Sequence, residues 1–326
     1  MRCLALAEEM RGQGWECAVL AAELTDAVRR RLEATGVTCL MKNIPIGSQA
    51  DAEATLLAVA SAGASVLVVD GYGFGPDWWV RLGRPDKLVL VAMDDIPDGD
   101  PLPVDIVVNA AGAGHRAAYL ARTNGSELLL GPAYTLLRAE IRTAAAQPGI
   151  PLGERRQVLV TFGGSDPTGL TLPVVQALDS LLPGDTQIAA VIGGSVPVAG
   201  DVAAACRSVS SRVDVQVDAY AMGMLIARSG LVVTAAGSTV GEVFALGVPS
   251  VVVPVAPNQF EGARLAAANG GSIVCEPDPH IIATATGRLW NDPSQRKAMG
   301  TAAGQIIDPH GASRIVAAIQ SAIVDQ

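Results

Sequence analysis

Val158-Leu159-Val160-Thr161-Phe162 runs straight into Gly163-Gly164-Ser165-Asp166-Pro167. The pattern recurs at Leu231-Val232-Val233-Thr234, followed by Ala235-Ala236-Gly237-Ser238-Thr239, with Glu242 one turn into the next helical segment. Each stretch reads as an apolar strand, a glycine turn and a helix, the parts of a βαβ unit. Free N–H groups and the positive dipole end at the start of such a helix converge on one point, which favours an anion such as phosphate. Two of these turns on one sheet imply a ligand carrying a diphosphate, and a nucleotide sugar is one natural candidate.

Outward from these turns, strand-like and helix-like segments alternate along the whole chain, the signature of parallel sheets with crossover helices. In the first half, strands are predicted near Cys17–Leu20, Thr38–Leu40, Val66–Val69, Leu88–Ala92, Ile106–Val108 and Leu128–Leu130. In the second half they are predicted near Val158–Phe162, Ile188–Ile192, Val213–Gln216, Leu231–Thr234, Ser250–Val253 and Ser272–Cys275. Pro148, Gly149, Pro151 and Gly153 mark the best linker. The expectation is α/β: two Rossmann-like doubly wound domains, residues 1–146 and 157–326, joined by 147–156 and facing a cleft. Gly311 to Ile323 reads as an amphipathic closing helix of the second domain.

The first domain carries an oddity. The chain opens on a helical segment, Met1–Arg11, with no strand before it. In a doubly wound sheet the first strand lies in the middle. Without it, its neighbours lack a ladder partner and helix faces lack a floor. The reading is that the natural domain begins upstream of Met1 or is impaired.

Composition limits the partners. Half of the 326 residues are hydrophobic and only 17% are charged, enough for two well-filled cores. A net charge of -9 argues against nucleic acid, whose phosphates need a basic face. Cys3, Cys17, Cys39, Cys206 and Cys275 are scattered without CxxC spacing, as expected for reduced thiols in the cytoplasm. No apolar run reaches the ~18 residues of a membrane span, so no membrane partner is expected. A monomer needing no metal and no cofactor is expected.

Other motifs carry two readings each. Gly163-Gly164-Ser165 can contact a ligand, while Asp166 caps the next helix and Pro167 opens it. Ser238 or Thr239 can cap a helix and also donate to a phosphate oxygen. Glu242 can accept from two ribose hydroxyls, or simply face solvent. Asp70-Gly71-Tyr72-Gly73 and Asp94-Asp95 each end a strand. Their carboxylates suit metal binding or acid/base work, and equally turn formation. Gly112, Gly114 and Ala117 mimic a dinucleotide fingerprint but do not follow a first strand, so they are read as a decoy. Asn258-Gln259 follows a strand, and its amides suit a sugar's polar groups. His115 is the one internal candidate base.

With those residues in view, the chain resembles the UDP-2,4-diacetamido-2,4,6-trideoxy-β-L-altropyranose hydrolases of pseudaminic acid biosynthesis and the related spore-coat polysaccharide proteins. These are similar in turn to GT-B glycosyltransferases, notably the N-acetylglucosamine transferase of peptidoglycan lipid synthesis. The resemblance rests on Met1-Arg2-Cys3-Leu4-Ala5-Leu6-Ala7, Asp70-Gly71-Tyr72, Asp94-Asp95 and Leu130-Gly131-Pro132-Ala133-Tyr134 with Leu137-Arg138. It rests equally on both glycine turns, Glu242, Gly247-Val248-Pro249 and Asn258-Gln259. It implies a metal-independent nucleotide-sugar hydrolase in which water attacks the anomeric carbon, UDP leaves and the configuration inverts. UDP would be held by Gly163, Gly164, Ser165, Gly237, Ser238 and Thr239 near the diphosphate and by Glu242 on the ribose, with Val217–Met222 near uracil. Tyr72 and Asn258 match positions that face the sugar and water and are the candidate catalytic residues.

The chain departs from that family at its start. Members open with a strand and a GxGHxxR loop whose histidine is the proposed general base, and Met1-Arg2 match only its last two residues. The expectation is therefore that Met1 is a late start or a truncation and that this chain hydrolyses slowly, since loss of a general base costs ~10²–10⁴-fold in rate. Two other functions fit the same residues: a GT-B glycosyltransferase using a UDP-sugar, and a catalytically impaired nucleotide-sugar binding protein.

Overall fold

The computed structural model describes residues 1–325 and contains twelve strands among them, all within a residue or two of the predicted positions. In chain order they are β1 (Ala18–Ala21), β2 (Thr38–Met41), β3 (Val66–Asp70), β4 (Val89–Met93), β5 (Ile106–Asn109), β6 (Glu127–Leu130), β7 (Gln157–Thr161), β8 (Gln187–Ile192), β9 (Val213–Val217), β10 (Ser229–Ala235), β11 (Ser250–Val253) and β12 (Ser272–Val274). Every strand pairing is parallel.

The chain forms two compact units whose limits differ from the sequence expectation. The first comprises Met1–Leu136 with His310–Gln326, and the second Leu137–Pro309. Packing sets the limits. Ile141, on the helix Ala139–Ala146, is buried with Leu159, Leu225 and Val243 of the second unit. Ile315, Val316 and Ile319, on the helix Gly311–Val324, are buried with Val89, Val91 and Ile106 of the first. The closing helix thus belongs to the first unit, and the proline-glycine stretch 147–156 lies within the second. Apolar periodicity correctly gave that helix, but it could not say which core would bury it.

The second unit is one six-stranded sheet in the order β12-β11-β10-β7-β8-β9. Counted from β7, this is 3-2-1-4-5-6 read backwards, the doubly wound order, with the reversal between β7 and β10. Alternation along the strands covers both faces, as a parallel sheet requires. Val158 and Val160 pack with Leu178 and Leu289 on one side, while Leu159 packs with Ile226 and Val243 on the other.

The first unit has two parallel sheets, β1-β2 and β3-β4-β5-β6. β1 and β3 do not pair with each other, so each keeps an open edge, as the sequence reading anticipates. β4 and β5 are buried throughout, whereas Val19, Leu20, Val66, Leu67 and Val68 stay half-exposed. The helix Arg2–Gly12 ties the two sheets together. Its Leu6 and Met10 pack with Val89 and Val91, and its Leu4 and Ala7 pack with Leu32 and Val37.

An ion cluster pins the start of that helix. Arg2 donates from Nη2 to Asp70 Oδ1 at 2.6 Å and from Nη1 to Asp95 Oδ1 at 2.7 Å, and Cys3 Sγ lies 2.9 Å from Asp70 Oδ2. Burial pushes the Asp70 carboxyl up, but the Arg2 guanidinium, the Cys3 thiol and the N-terminal amine outweigh it and hold the carboxyl below its ordinary value. Burial, reinforced by Asp70, pushes the Cys3 thiol up to about 12, so it remains a hydrogen-bond donor at neutral pH.

Two outcomes follow from this arrangement. Amide hydrogen exchange should be faster over 18–21 and 66–70 than over 89–93 and 106–109; equal protection would mean that the edges are paired. A carboxylate whose folded pKa is depressed stabilises the fold fully above its unfolded value of about 4, and less as pH falls through the folded value. Arg2→Met should therefore melt below the parent at pH 7, with the gap closing below about pH 4; a gap unchanged down to pH 2 would refute the assignment.

Candidate functional site

The strand-order reversal in the second unit places two glycine turns side by side at the carboxyl ends of β7 and β10, where doubly wound sheets bind ligands. After β7, Gly163 takes φ +81°, a conformation that suits glycine, and Gly164 does not. A Cβ built on Gly164 meets nothing within 4 Å, and one on Gly237 meets only Gln259 Nε2, at 3.9 Å. Neither glycine is therefore demanded by backbone conformation or by packing within the protein. Both leave open space in front of the main chain, as close approach of a ligand requires.

The main-chain donors agree. Among the described residues, the N–H groups of Gly164, Ser165, Gly237 and Ser238 reach no protein acceptor. Gly237, Ser238, Gly164 and Ser165 are exposed and Thr239 is half-buried. The helix Thr239–Ala245 starts directly after its turn, and no side chain caps it. The capping role open to Ser238 and Thr239 is thus unused, and their hydroxyls stay available.

The first turn differs from its sequence reading. The following helix, Thr171–Leu181, begins several residues beyond the glycines, so Pro167 does not open it. Asp166, at φ +39°, reaches forward instead: its carboxylate accepts from Leu170 N and Thr171 N, both at 3.0 Å, and from Thr171 Oγ1 at 2.7 Å. That helix end is already met by an anion of its own chain. The ligand-facing donors at this turn are those of the loop and not of the helix.

A third loop completes the turn. Gly193, after β8, presses against it so closely that a Cβ there would lie 2.1 Å from Gly164 O, and Ser195 N donates to that same oxygen at 2.9 Å. Sequence reasoning passed over Gly193, although a glycine pair directly after the strand Ile188–Ile192 was the available signal. Beyond β11, Asn258 sits exposed in the short 3-10 turn Pro257–Gln259, and Gln259 Oε1 accepts from Val255 N at 3.0 Å.

Glu242 is neither solvent-facing nor unpaired. It is 6% exposed, and its two oxygens accept from Arg138 Nε at 2.9 Å and Nη2 at 3.1 Å, a fork-to-fork pair between residues 104 apart in sequence. Arg138 is itself 7% exposed. Removing Arg138 strands the Glu242 charge, a loss on the order of 3–5 kcal/mol, whereas Arg138 also has Glu140 at 3.0 Å.

The candidates of the first unit lie apart from these in sequence. Tyr72 is exposed, and its hydroxyl donates to Asp95 Oδ2 at 2.8 Å. A cavity of ≈ 140 Å³ opens beside Tyr72, lined also by Asp94, Asp95, Asp100 and Arg122. Asp94 and Asp95 do not act as a pair: Arg122 holds the first at 3.0 Å and Arg2 the second. No group of three metal-ligating side chains occurs among the described residues. Of the glycines after β5, a Cβ built at Gly112 would lie 2.9 Å from the Asn109 side chain, whereas one at Gly114 meets nothing within 4 Å. His115 precedes the helix Arg116–Arg122. No helix of the described residues is long and apolar enough to cross a membrane.

No protein-family model matches the chain. It is 25% identical over 258 residues to an uncharacterized protein, MJ1062, of Methanocaldococcus jannaschii, covering 77% of this chain and 51% of that one. It is 28% identical over 205 residues to the UDP-N-acetylglucosamine–N-acetylmuramyl-(pentapeptide) pyrophosphoryl-undecaprenol N-acetylglucosamine transferase of Mycobacterium avium, covering 56% and 46%. The corresponding transferase of an Exiguobacterium species is 26% identical over 193 residues, covering 58% and 53%. The chain spans about half the length of these curated relatives. Among solved structures, MnaA of S. aureus in complex with UDP matches with a TM-score of 0.71 at 12% identity, over 99% of this chain and 95% of that one. A UDP-GlcNAc 2-epimerase of Neisseria meningitidis bound to UDP-GlcNAc gives 0.67 at 12% identity, over 98% of both chains. MurG of Acinetobacter baumannii gives 0.61 at 17% identity, over 98% and 95%. At these identities the likeness is one of fold: the chain has the GT-B fold, built from two Rossmann-like α/β units.

Proposed function

We propose that this protein is an enzyme that binds a UDP-sugar through its second unit and breaks the bond between the sugar's anomeric carbon and UDP. The observation that carries the reading is the set of four unpartnered N–H groups, at Gly164, Ser165, Gly237 and Ser238, on the two loops where the strand order reverses. Donors so fixed bind a diphosphate. They also stabilise the charge that grows on the departing phosphate oxygen, at no cost in reorganisation. The hydroxyls of Ser165, Ser238 and Thr239 add donors at the same place. Glu242 supplies a carboxylate one turn along the helix for the ribose.

In the reaction, an oxygen nucleophile attacks the anomeric carbon, the carbon–oxygen bond to UDP breaks, and UDP keeps the bonding pair. Transfer to an acceptor hydroxyl is the first reading, supported by the likeness to two N-acetylglucosamine transferases. Hydrolysis is the second. It is favoured by the Tyr72 hydroxyl anchored on Asp95, within the Asp70-Gly71-Tyr72 motif that resembles the sugar-nucleotide hydrolases. Tyr72 and Asn258 keep the sugar-side roles of that resemblance in either case.

Calorimetry should detect UDP binding to the full chain. Gly164→Val and Gly237→Val should each weaken it at least tenfold with melting temperature nearly unchanged, because both positions have room for a side chain until a ligand arrives. Unaltered affinity in both variants would sink the reading. With a UDP-sugar and water alone, a hydrolase releases UDP steadily. A transferase releases it only when an acceptor sugar is added, and UDP assay with and without acceptor separates the two.

A further inference from the structure

The amino end of the second unit's sheet, opposite the glycine turns, carries charge that the protein does not balance. Arg155 and Arg156 precede β7, and Arg228 precedes β10. Gln157 and Ser229 pair in the ladder, so these arginines enter the two strands side by side. Arg296, on the helix Pro293–Ala303, joins them. Its guanidinium lies 4.4 Å over the Trp290 ring, and the residue is 4% exposed. Among the described residues no carboxylate lies within 4 Å of any of the four, and Arg296 Nε and Nη1 are buried without an acceptor. Arg155 turns to the main chain, donating from Nε to Ile150 O at 2.8 Å and from Nη1 to Ser229 O at 3.2 Å. The Arg156 side chain is exposed and makes no bond. Backbone geometry makes room for the Arg296 fork. The ladder between β10 and β7 slips between Ser229 and Leu231, and a Cβ at Gly230 would lie 3.0 Å from both Arg296 Nη1 and the Trp290 ring. Burial pushes the Arg296 guanidinium below its ordinary value, and the like charge of Arg156 adds to the effect.

We propose that Arg156 and Arg296 form a second anion site, at the amino ends of β7 and β10, that takes a small oxyanion of the phosphate class. Two cations held near each other with no carboxylate in reach repel, and an anion bound to both turns that repulsion into attraction. Guanidinium charge is delocalised, so an oxyanion at the edge that solvent still reaches also compensates the buried nitrogens. Trp290 and Gly230 fix the plane of the Arg296 fork, and Arg156 closes on the ion from the surface. Arg228 adds positive charge at the same edge of the sheet. Because Arg296 is almost buried, the ligand is a compact ion and not an extended acidic surface. The site stands at the other end of the strands from the glycine turns and does not depend on the UDP reading.

The test is calorimetry with inorganic phosphate at neutral pH, with chloride holding the ionic strength constant. The full chain carries Gly164→Val and Gly237→Val, so that the glycine turns contribute nothing. Phosphate should bind to it and should raise its melting temperature as the concentration rises. Adding Arg156→Gln should weaken binding about tenfold or more, the effect of losing a charged hydrogen-bond donor. Adding Arg296→Lys instead, which keeps the charge but loses the flat fork, should weaken it about threefold or more. Arg156 is exposed and bonds to nothing, so its variant decides should the Arg296 variant fail to fold. Absence of phosphate binding overturns the inference. So does an affinity unchanged by Arg156→Gln in a folded chain, or displacement of phosphate by chloride at equal concentration.

Discussion

The parallel ladder between β7 and β10 is the contact on which the uncovered loop donors of the second unit depend. The chain reverses its direction of progress across the sheet at that pair. The crossover from β7 to β8 leaves on one side, and β10 returns on the other. No helix or strand can then cover the carboxyl ends of both strands, so two loops must lie next to each other with their main-chain donors uncovered. Each loop contributes glycine, and Gly193 from the next loop locks the first in place. Donors suited to an anion thus arise from topology before any charged side chain is added, so a net charge of -9 does not stand against the proposed diphosphate.

The neighbouring buried pair shows the opposite economy. Glu242 and Arg138 leave water together, and each makes the other tolerable. Such a pair adds little to stability compared with an apolar pair of the same size. It does specify geometry, because both partners are planar and bidentate. Through Glu140, which accepts from Gly223 N, the same arginine is also tied to the helix Met222–Ala227.

The first unit is organised differently. Its ladder is interrupted between β1 and β3, and a helix packing on both sheets bridges the interruption. Arg2 fastens that helix to Asp70 and Asp95, at the carboxyl ends of β3 and β4. The same Asp95 receives the Tyr72 hydroxyl, so one carboxylate joins the fastening of the helix to the best-exposed aromatic hydroxyl of this unit.

The amino-acid sequence alone determined the twelve strands, their parallel sense and the two glycine turns, because apolar runs, β-branching and glycine act locally and leave a periodic trace. It also led to the expectation of neighbouring strands without a ladder partner, and in the structure β1 and β3 do not pair with each other. Only the tertiary structure decided the rest. The helix Gly311–Val324 is amphipathic in sequence, but which core receives its apolar face depends on a surface assembled from segments far away in the chain. Asp166 caps a helix that starts later than its proline suggests, because the carboxylate reaches forward once Asp166 itself adopts positive φ. Glu242 found Arg138 across 104 residues, and no local pattern records a pairing that folding alone brings within 2.9 Å.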